Sequence, residues 1–216
     1  MPQLPVPSEL TTQRMEAFSD GVFAIAITLL ILGINVPGVA STGPEALAVA
    51  LLDLWPSYFG YVFSFVVIGI YWANHHFIFG LYARSNHPFV LLNLLFLMTI
   101  VFLPFPTAVL AEYIADVQHR HSAMALYAFA LLLPSMAWLL TWLYASHNHR
   151  LLIDGLQDHY IRHLTSKFAG SVILHAIAVL FALMHAIAGL TMCIAVTLFY
   201  LLPTQRPEAP EGFVPE

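Results

Sequence analysis

The sequence predicts an all-α integral membrane protein with six transmembrane helices per chain. Three observations carry that expectation. The chain of 216 residues is 60% hydrophobic and only 9% charged, with a mean hydropathy of +0.80. A soluble domain is about a quarter charged, so the balance is that of a membrane protein. Long stretches without any charge recur between short polar links. The last of them, residues 168–205, would be about 57 Å long as one helix at roughly 1.5 Å per residue. That is nearly twice the hydrocarbon thickness, so it predicts two short crossings.

The expected spans are residues 14–36, 44–77, 87–114, 121–147, 165–185 and 187–203, all within a single transmembrane domain 1–216. Before the first, the Pro-rich start Met1 to Leu10 lacks a basic region, so no cleavable signal peptide is expected. The first span has an apolar run from Gly21 to Val36, with Arg14, Glu16 and Asp20 ahead of it. Ionisable groups at the edge of hydrocarbon are costly and need partners, which makes a functional role their default reading. Pro37 to Pro44 is turn-rich, and Gly43-Pro44 predicts the start of the second span, with Pro at the first helical position. Pro56 is expected to kink that span, with Asp53 just before it. It leaves through Tyr71-Trp-Ala-Asn-His-His76, an aromatic and polar exit suited to the interface.

Asn86-His-Pro88 opens the third span, which Pro104 and Pro106 interrupt and Glu112 and Asp116 close. The fourth contains Pro134. His147 to Lys167 is predicted as a polar connector, and the turn between the last two spans is placed near His185 to Gly189. With six spans and a cytoplasmic N-terminus, Arg14, Arg84, Arg150, Arg162, Lys167 and Arg206 lie inside and Arg120 alone lies outside. This asymmetry predicts a multi-pass protein of the plasma membrane with both termini cytoplasmic.

On a helical wheel at about 100° per residue, Arg14, Phe18, Ile25, Leu29, Leu32 and Val36 form one narrow stripe. Ala17, Gly21, Ala24 and Thr28 make a small-residue seam beside it, of the kind that lets helix backbones approach closely in membranes. Ser19 and Asp20 point away from the stripe and need donors. Trp72, Asn74, His75 and His76 at the end of the second span, and Asn93 near the start of the third, lie at the same expected depth. Simple capping of a helix start would satisfy Ser19 or Asp20, but not Arg14 with them. An apolar stripe is a candidate pore lining, although a buried face in a helix bundle shows the same periodicity. One helix cannot enclose a channel, so a pore requires several copies around an axis.

Arg14-x-x-x-Phe18-Ser19-Asp20 at the start of the first membrane helix resembles the signature of the endolysosomal potassium channel family, in its bacterial single-repeat, six-helix form. The resemblance implies a homotetramer in the lipid bilayer, with the first helix of each chain lining a central pore. It implies Ile25 as the narrowest constriction, Leu29 and Leu32 as further apolar rings, and Thr28 as a flanking hydroxyl. It also implies an interhelical network around Arg14, Phe18, Ser19 and Asp20. The permeant species would be K+ and other monovalent cations, and no cofactor is expected. There is no Thr-Val-Gly-Tyr-Gly filter and no acidic ring midway along the stripe. Selectivity by carbonyl rows or charged rings is therefore unsupported, leaving a tight apolar constriction where an ion sheds water.

The basic residues are too few for a nucleic-acid surface, and the single cysteine, Cys193, allows no intrachain disulfide. His147, His149, Asp154, Asp158, His159 and His163 fall in the polar connector without a strong ligand signature such as His-Glu-x-x-His, so no metal site is expected. His75, His175 and His185 raise a haem-binding or redox reading, and Asp20 with the histidines a proton-coupled transporter. No Ser/His/Asp constellation, Gly-rich phosphate loop or thiol motif stands out, so an enzyme is disfavoured.

Overall fold

The chain is an all-α integral membrane protein. The computed structural model describes residues 12–38 and 45–201. Three sequence expectations lie outside the described residues: the missing signal peptide at Met1 to Leu10, the helix start at Gly43-Pro44, and the inside position of Arg206.

The elements run α1 (Thr12–Leu29), α2 (Ala46–Asp53), α3 (Trp55–Phe79), α4 (His87–Phe102), α5 (Pro104–Tyr113), α6 (Arg120–Ser146), α7 (Asp158–Met184) and α8 (Ala186–Leu201). A 3-10 turn, Leu30–Gly33, continues α1. Among the described residues, five spans are long and apolar enough to cross a bilayer: Thr12–Gly33, Trp55–Phe79, His87–Tyr113, Arg120–His149 and Asp158–Met184. The sixth, α8, is 16 residues and lies beside α7. At about 1.5 Å per residue it is roughly 24 Å long, a short crossing.

Proline chemistry sets the interior breaks, but not always where expected. The 44–77 span is broken at Leu54, and Pro56 occupies the first turn of α3 instead of kinking a continuous helix. A first-turn proline has no intrahelical partner to lose, so it starts a helix at little cost. In the 87–114 span the break falls at Leu103, where Pro104 and Pro106 offer no N–H to the preceding turn. Pro134 stays inside an unbroken α6. Upstream, Asn86 caps α4 by accepting from the Phe89 N–H at 3.1 Å.

The 147–167 connector is shorter than expected, because α7 begins at Asp158 rather than at 165. The polar residues from Asp158 to Lys167 are its first turns, reaching beyond the apolar slab. The α7–α8 turn narrows to His185, the one extended residue between the two helices. Their close approach requires Gly189: a Cβ there would lie 2.5 Å from the Ala182 Cα.

At the core stands α6, which contacts α4, α5, α7 and α8. Tyr127, Ala128, Leu131 and Trp142 on it are almost fully buried. Packed on α3 and α4 is α1. At one end of the bundle Tyr82 pairs with Leu152, the Ala83 N–H donates to the Leu151 carbonyl (2.9 Å), and the Ile153 N–H donates to the Leu81 carbonyl (3.0 Å). The α3–α4 and α6–α7 links are thereby tied together. By alternation of the spans, the start of α1 lies at this same end.

A candidate pore face and its polar tether

Two faces divide α1. Met15, Ser19, Phe23 and Ala26 are buried at i, i+4, i+8 and i+11, with Leu30 continuing the row against α3 and α4. The opposite stripe is uncovered: Phe18, Ile25, Leu29 and Leu32 are 55%, 58%, 37% and 72% exposed. The small residues Ala17, Gly21, Ala24 and Thr28 are also exposed, so the seam is left largely uncovered by the described residues. Thr28 turns its hydroxyl back to donate to the Ile25 carbonyl at 2.9 Å. Arg14 is exposed beside this face.

Past Leu29 the straight wheel fails. Because residues 30–33 form a 3-10 turn, Leu32 stands nearly over Leu29, as i and i+3 eclipse in that geometry. Val36, beyond the turn, leaves the stripe altogether.

The covered face is held by polar contacts at the start of α1. Ser19, His75 and Asn93 are 0%, 0% and 2% exposed. The Ser19 hydroxyl bonds to the Met15 carbonyl (2.8 Å), the Asn93 amide donates to the Ser19 Oγ (3.0 Å), and the His75 Nε2 lies 3.2 Å from the Asn93 Oδ1. With the amide nitrogen committed to Ser19, the Asn93 oxygen accepts, so His75 carries its proton on Nε2. The result is a one-way donor chain, His75 to Asn93 to Ser19 to the α1 backbone. The His75 ring stacks on Phe79 at 4.0 Å and meets Phe23 edge-on, and its buried Nδ1 has no hydrogen-bond partner among the described residues.

A second pair of contacts runs along the rim of the same end. The Trp72 indole donates to Asp20 at 2.9 Å, and the His76 Nδ1 lies 2.8 Å from a Glu16 oxygen. Carboxylates four apart on α1 thus face Trp72 and His76, four apart on antiparallel α3. Sequence reasoning named Asp20, Trp72 and His76 but missed Glu16, whose signal was this matched spacing. Two named residues are not in these contacts: the Asn74 amide donates to the Ile70 carbonyl of its own helix at 2.8 Å, and Arg14 makes no ion pair among the described residues.

The remaining histidines are dispersed. The His175 Nδ1 bonds to the Ser171 carbonyl at 2.8 Å and lines a cavity of about 50 Å3 between α3, α6, α7 and α8. His185 is exposed, with its ring 6.4 Å from that of His121. In the connector, His149 meets Asp158 at 2.9 Å and Arg84 approaches Asp154 at 3.7 Å. Among the described residues no three His, Cys, Asp or Glu side chains are placed to hold a metal ion. His75 is buried, with Nε2 directed at Asn93 and its ring packed between Phe79 and Phe96.

Fold and site together define a polytopic helical membrane protein whose first helix is tethered on one face and unpartnered on the other. Residues 14–104 match the family described as the endosomal/lysosomal potassium channel TMEM175. A potassium channel of Chamaesiphon minutus is 38% identical over 196 residues, covering 91% of this chain and 96% of that one. A potassium channel of Streptomyces collinus is 44% identical over 156 residues, 72% of this chain and 75% of its own. The crystal structure of a lysosomal potassium-selective channel TMEM175 homolog from Chamaesiphon minutus superposes with a TM-score of 0.79 at 37% identity, over 88% of this chain and 96% of that chain. The chain belongs to the TMEM175 family.

Proposed function

We propose that this chain forms a potassium-selective cation channel, as a homotetramer in the plasma membrane with both termini cytoplasmic. No enzymatic step and no cofactor take part, and K+ is the permeant species. The observation that carries the reading is the bare apolar stripe of α1, set opposite a face anchored by buried hydrogen bonds. Four copies around an axis would bring Ile25, Leu29 and Leu32 into apolar rings, with the Ala17–Gly21–Ala24 seam against the next chain and Thr28 beside Ile25. A ring of aliphatic side chains offers an ion no oxygen, so crossing it costs part of the hydration shell. A charge in low dielectric costs several kcal/mol or more, which makes the ring a barrier that small changes in ion hydration can tune. Names of the relatives, two potassium channels, support potassium as the ion.

The test is cation flux in liposomes with a potassium-to-sodium comparison. Wild-type protein is expected to pass K+ in preference to Na+ without a second driving gradient. Ile25→Asn, which places carboxamides in the narrowest ring, is expected to raise Na+ flux about tenfold, equal to ~1.4 kcal/mol off the barrier. Unchanged discrimination in Ile25→Asn at equal tetramer content would place the conduction path elsewhere.

A further inference from the structure

The end of α1 away from Asp20 lies beside a cavity that the pore reading does not use. The cavity measures about 290 Å3 and is open; Leu32, Gly33, Asn35, Ser57, Glu112 and Tyr113 are among the residues that line it. Leu32 is the last residue of the bare stripe, so one wall of this space is continuous with the candidate pore. Glu112 supplies a carboxylate on another wall. The packing that sets their separation is local: a Cβ on Gly33 would touch the Ala108 Cβ at 3.5 Å, so the 3-10 turn rests on α5 at Ala108. Glu112 is one helical turn past Ala108 and therefore projects from the same face of α5. It is exposed, and no ion pair with it occurs among the described residues.

We infer that Glu112 is a conductance-determining residue, one carboxylate per chain, that concentrates K+ at the mouth of the pore next to Leu32. The inference rests on the pore reading of α1. Past Leu32 the stripe carries no charge and no filter oxygens, so an arriving cation has nothing in the helix itself to attract it. Four carboxylates set around the mouth would supply a negative potential just before the apolar rings. Such a field, focused by low-dielectric walls, raises the local cation concentration and the rate of entry into the pore. Asn35 and Ser57 offer neutral oxygens on the same walls, which suits a cation that still keeps its water. Selectivity would remain with the rings; Glu112 would set how often an ion arrives.

Asp116 gives an internal comparison at the same end of the molecule. It lies one turn further along the chain but does not line the cavity. It accepts from the Gln118 N–H (2.7 Å) and sits 2.7 Å from the His119 ring nitrogen. Its hydrogen bonds to His119 and Gln118 hold its carboxyl below the usual carboxylate range, so its charge is present at neutral pH.

The experiment is single-channel K+ conductance of reconstituted full-length protein in symmetrical solutions of rising ionic strength. At about 10 mM salt, where screening reaches about 30 Å, Glu112→Gln is expected to conduct about threefold less than wild type. Near 1 M, where screening falls to about 3 Å, the two should coincide. Glu112→Lys should lower low-salt conductance further, Glu112→Asp should restore it, and the K+/Na+ ratio should stay unchanged in all three. Wild-type conductance of Glu112→Gln at low salt would overturn the inference, as would a deficit that persists at 1 M. An equal deficit in Asp116→Asn would overturn it too, by showing that any charge at this end suffices. Ile25→Asn separates the two layers of reasoning. If it alters selectivity while Glu112→Gln is silent, only the mouth assignment fails; if both are silent, the pore assignment falls with it.

Discussion

Helices α1 and α7 are almost equally hydrophobic and almost equally bare, yet their bare faces differ in kind. In both spans, Thr12–Gly33 and Asp158–Met184, most of the apolar stretch is left uncovered by the chain itself. What α7 shows outward is large and aliphatic: Ile173, Leu180 and Leu183 are about 60% exposed. Two of its small residues, Ala178 and Ala182, are fully buried inside the chain, with Gly189 of α8 pressed against Ala182. The arrangement on α1 is the reverse. Its bulky Phe23 and Leu30 are buried, while Ala17, Gly21 and Ala24 look outward beside the Ile25–Leu29–Leu32 stripe. Lipid is as apolar as leucine, so hydrophobicity cannot tell a lipid face from a protein face; small side chains that permit close backbone approach can.

Two glycines sharpen that contrast and should give the largest effect. A Cβ on Gly21 would meet nothing within 4 Å, whereas one on Gly189 would lie 2.5 Å from the Ala182 backbone. Gly21→Leu is therefore expected to leave the protomer's thermal stability unchanged and to abolish the tetramer. Gly189→Ala is expected to do the opposite, costing about 1–3 kcal/mol through the forced separation of α7 and α8. Light scattering on detergent-solubilised protein, with a thermal melt beside it, reads both. A fully assembled Gly21→Leu channel would make the α1 seam a lipid face like that of α7.

Where the sequence and the structure agree, the determinants are short-range or strongly periodic. Charge-free stretches mark the spans because every ion within the slab is costly. Ser19, Asn93 and His75 could be grouped from depth alone, since buried polar groups must find one another. The misses have equally physical causes. Pro56 is ambiguous in sequence, because proline breaks a helix interior but begins a helix readily. The start of α7 at Asp158 was hidden because its first turns lie outside the apolar slab and carry polar residues. The switch to a 3-10 turn at Leu30 leaves no compositional trace, so the wheel carried Val36 along a stripe that had already ended. Glu16 stands out in sequence as an ionisable group in need of a partner, but nothing local to it singles out His76, 60 residues away.

A middle-sized effect is expected at the centre of the tether. Asn93 both accepts from His75 and donates to Ser19 while nearly fully buried. Asn93→Ala strands the His75 N–H and removes the donor that pins Ser19, at about 1–3 kcal/mol for each buried group left unsatisfied. The expected outcome is a lower melting temperature together with reduced open probability, because α1 loses the contact that sets its position against α4. Had α1 been a lipid-facing helix like α7, the melt would fall without any change in channel opening. Measuring both on the same preparation decides between them.

The smallest effect concerns two tryptophans that play parallel parts on the two helices. The Trp72 indole donates to Asp20 on α1, and the Trp142 indole donates to Thr165 on α7, each at 2.9 Å. Trp142 is 1% exposed and meets Phe168 edge-on at 5.6 Å, so it is part of the core that seats α7 on α6. Trp72 is 47% exposed, and little packing would be lost with its indole. Trp142→Phe should cost about 2 kcal/mol by opening a void and removing the indole's hydrogen bond to Thr165, with ion selectivity and open probability of the surviving tetramers unaltered. Trp72→Phe removes one hydrogen bond worth about 0.5–1.5 kcal/mol, so its melt should barely move. Its expected signature is functional: a shift in open probability of about threefold, since the lost contact ties the start of α1, the proposed pore-lining helix, to α3. Single-channel recording of the two variants reads this directly. A silent Trp72→Phe beside a Trp142→Phe that alters gating would move the working helix from α1 to α7.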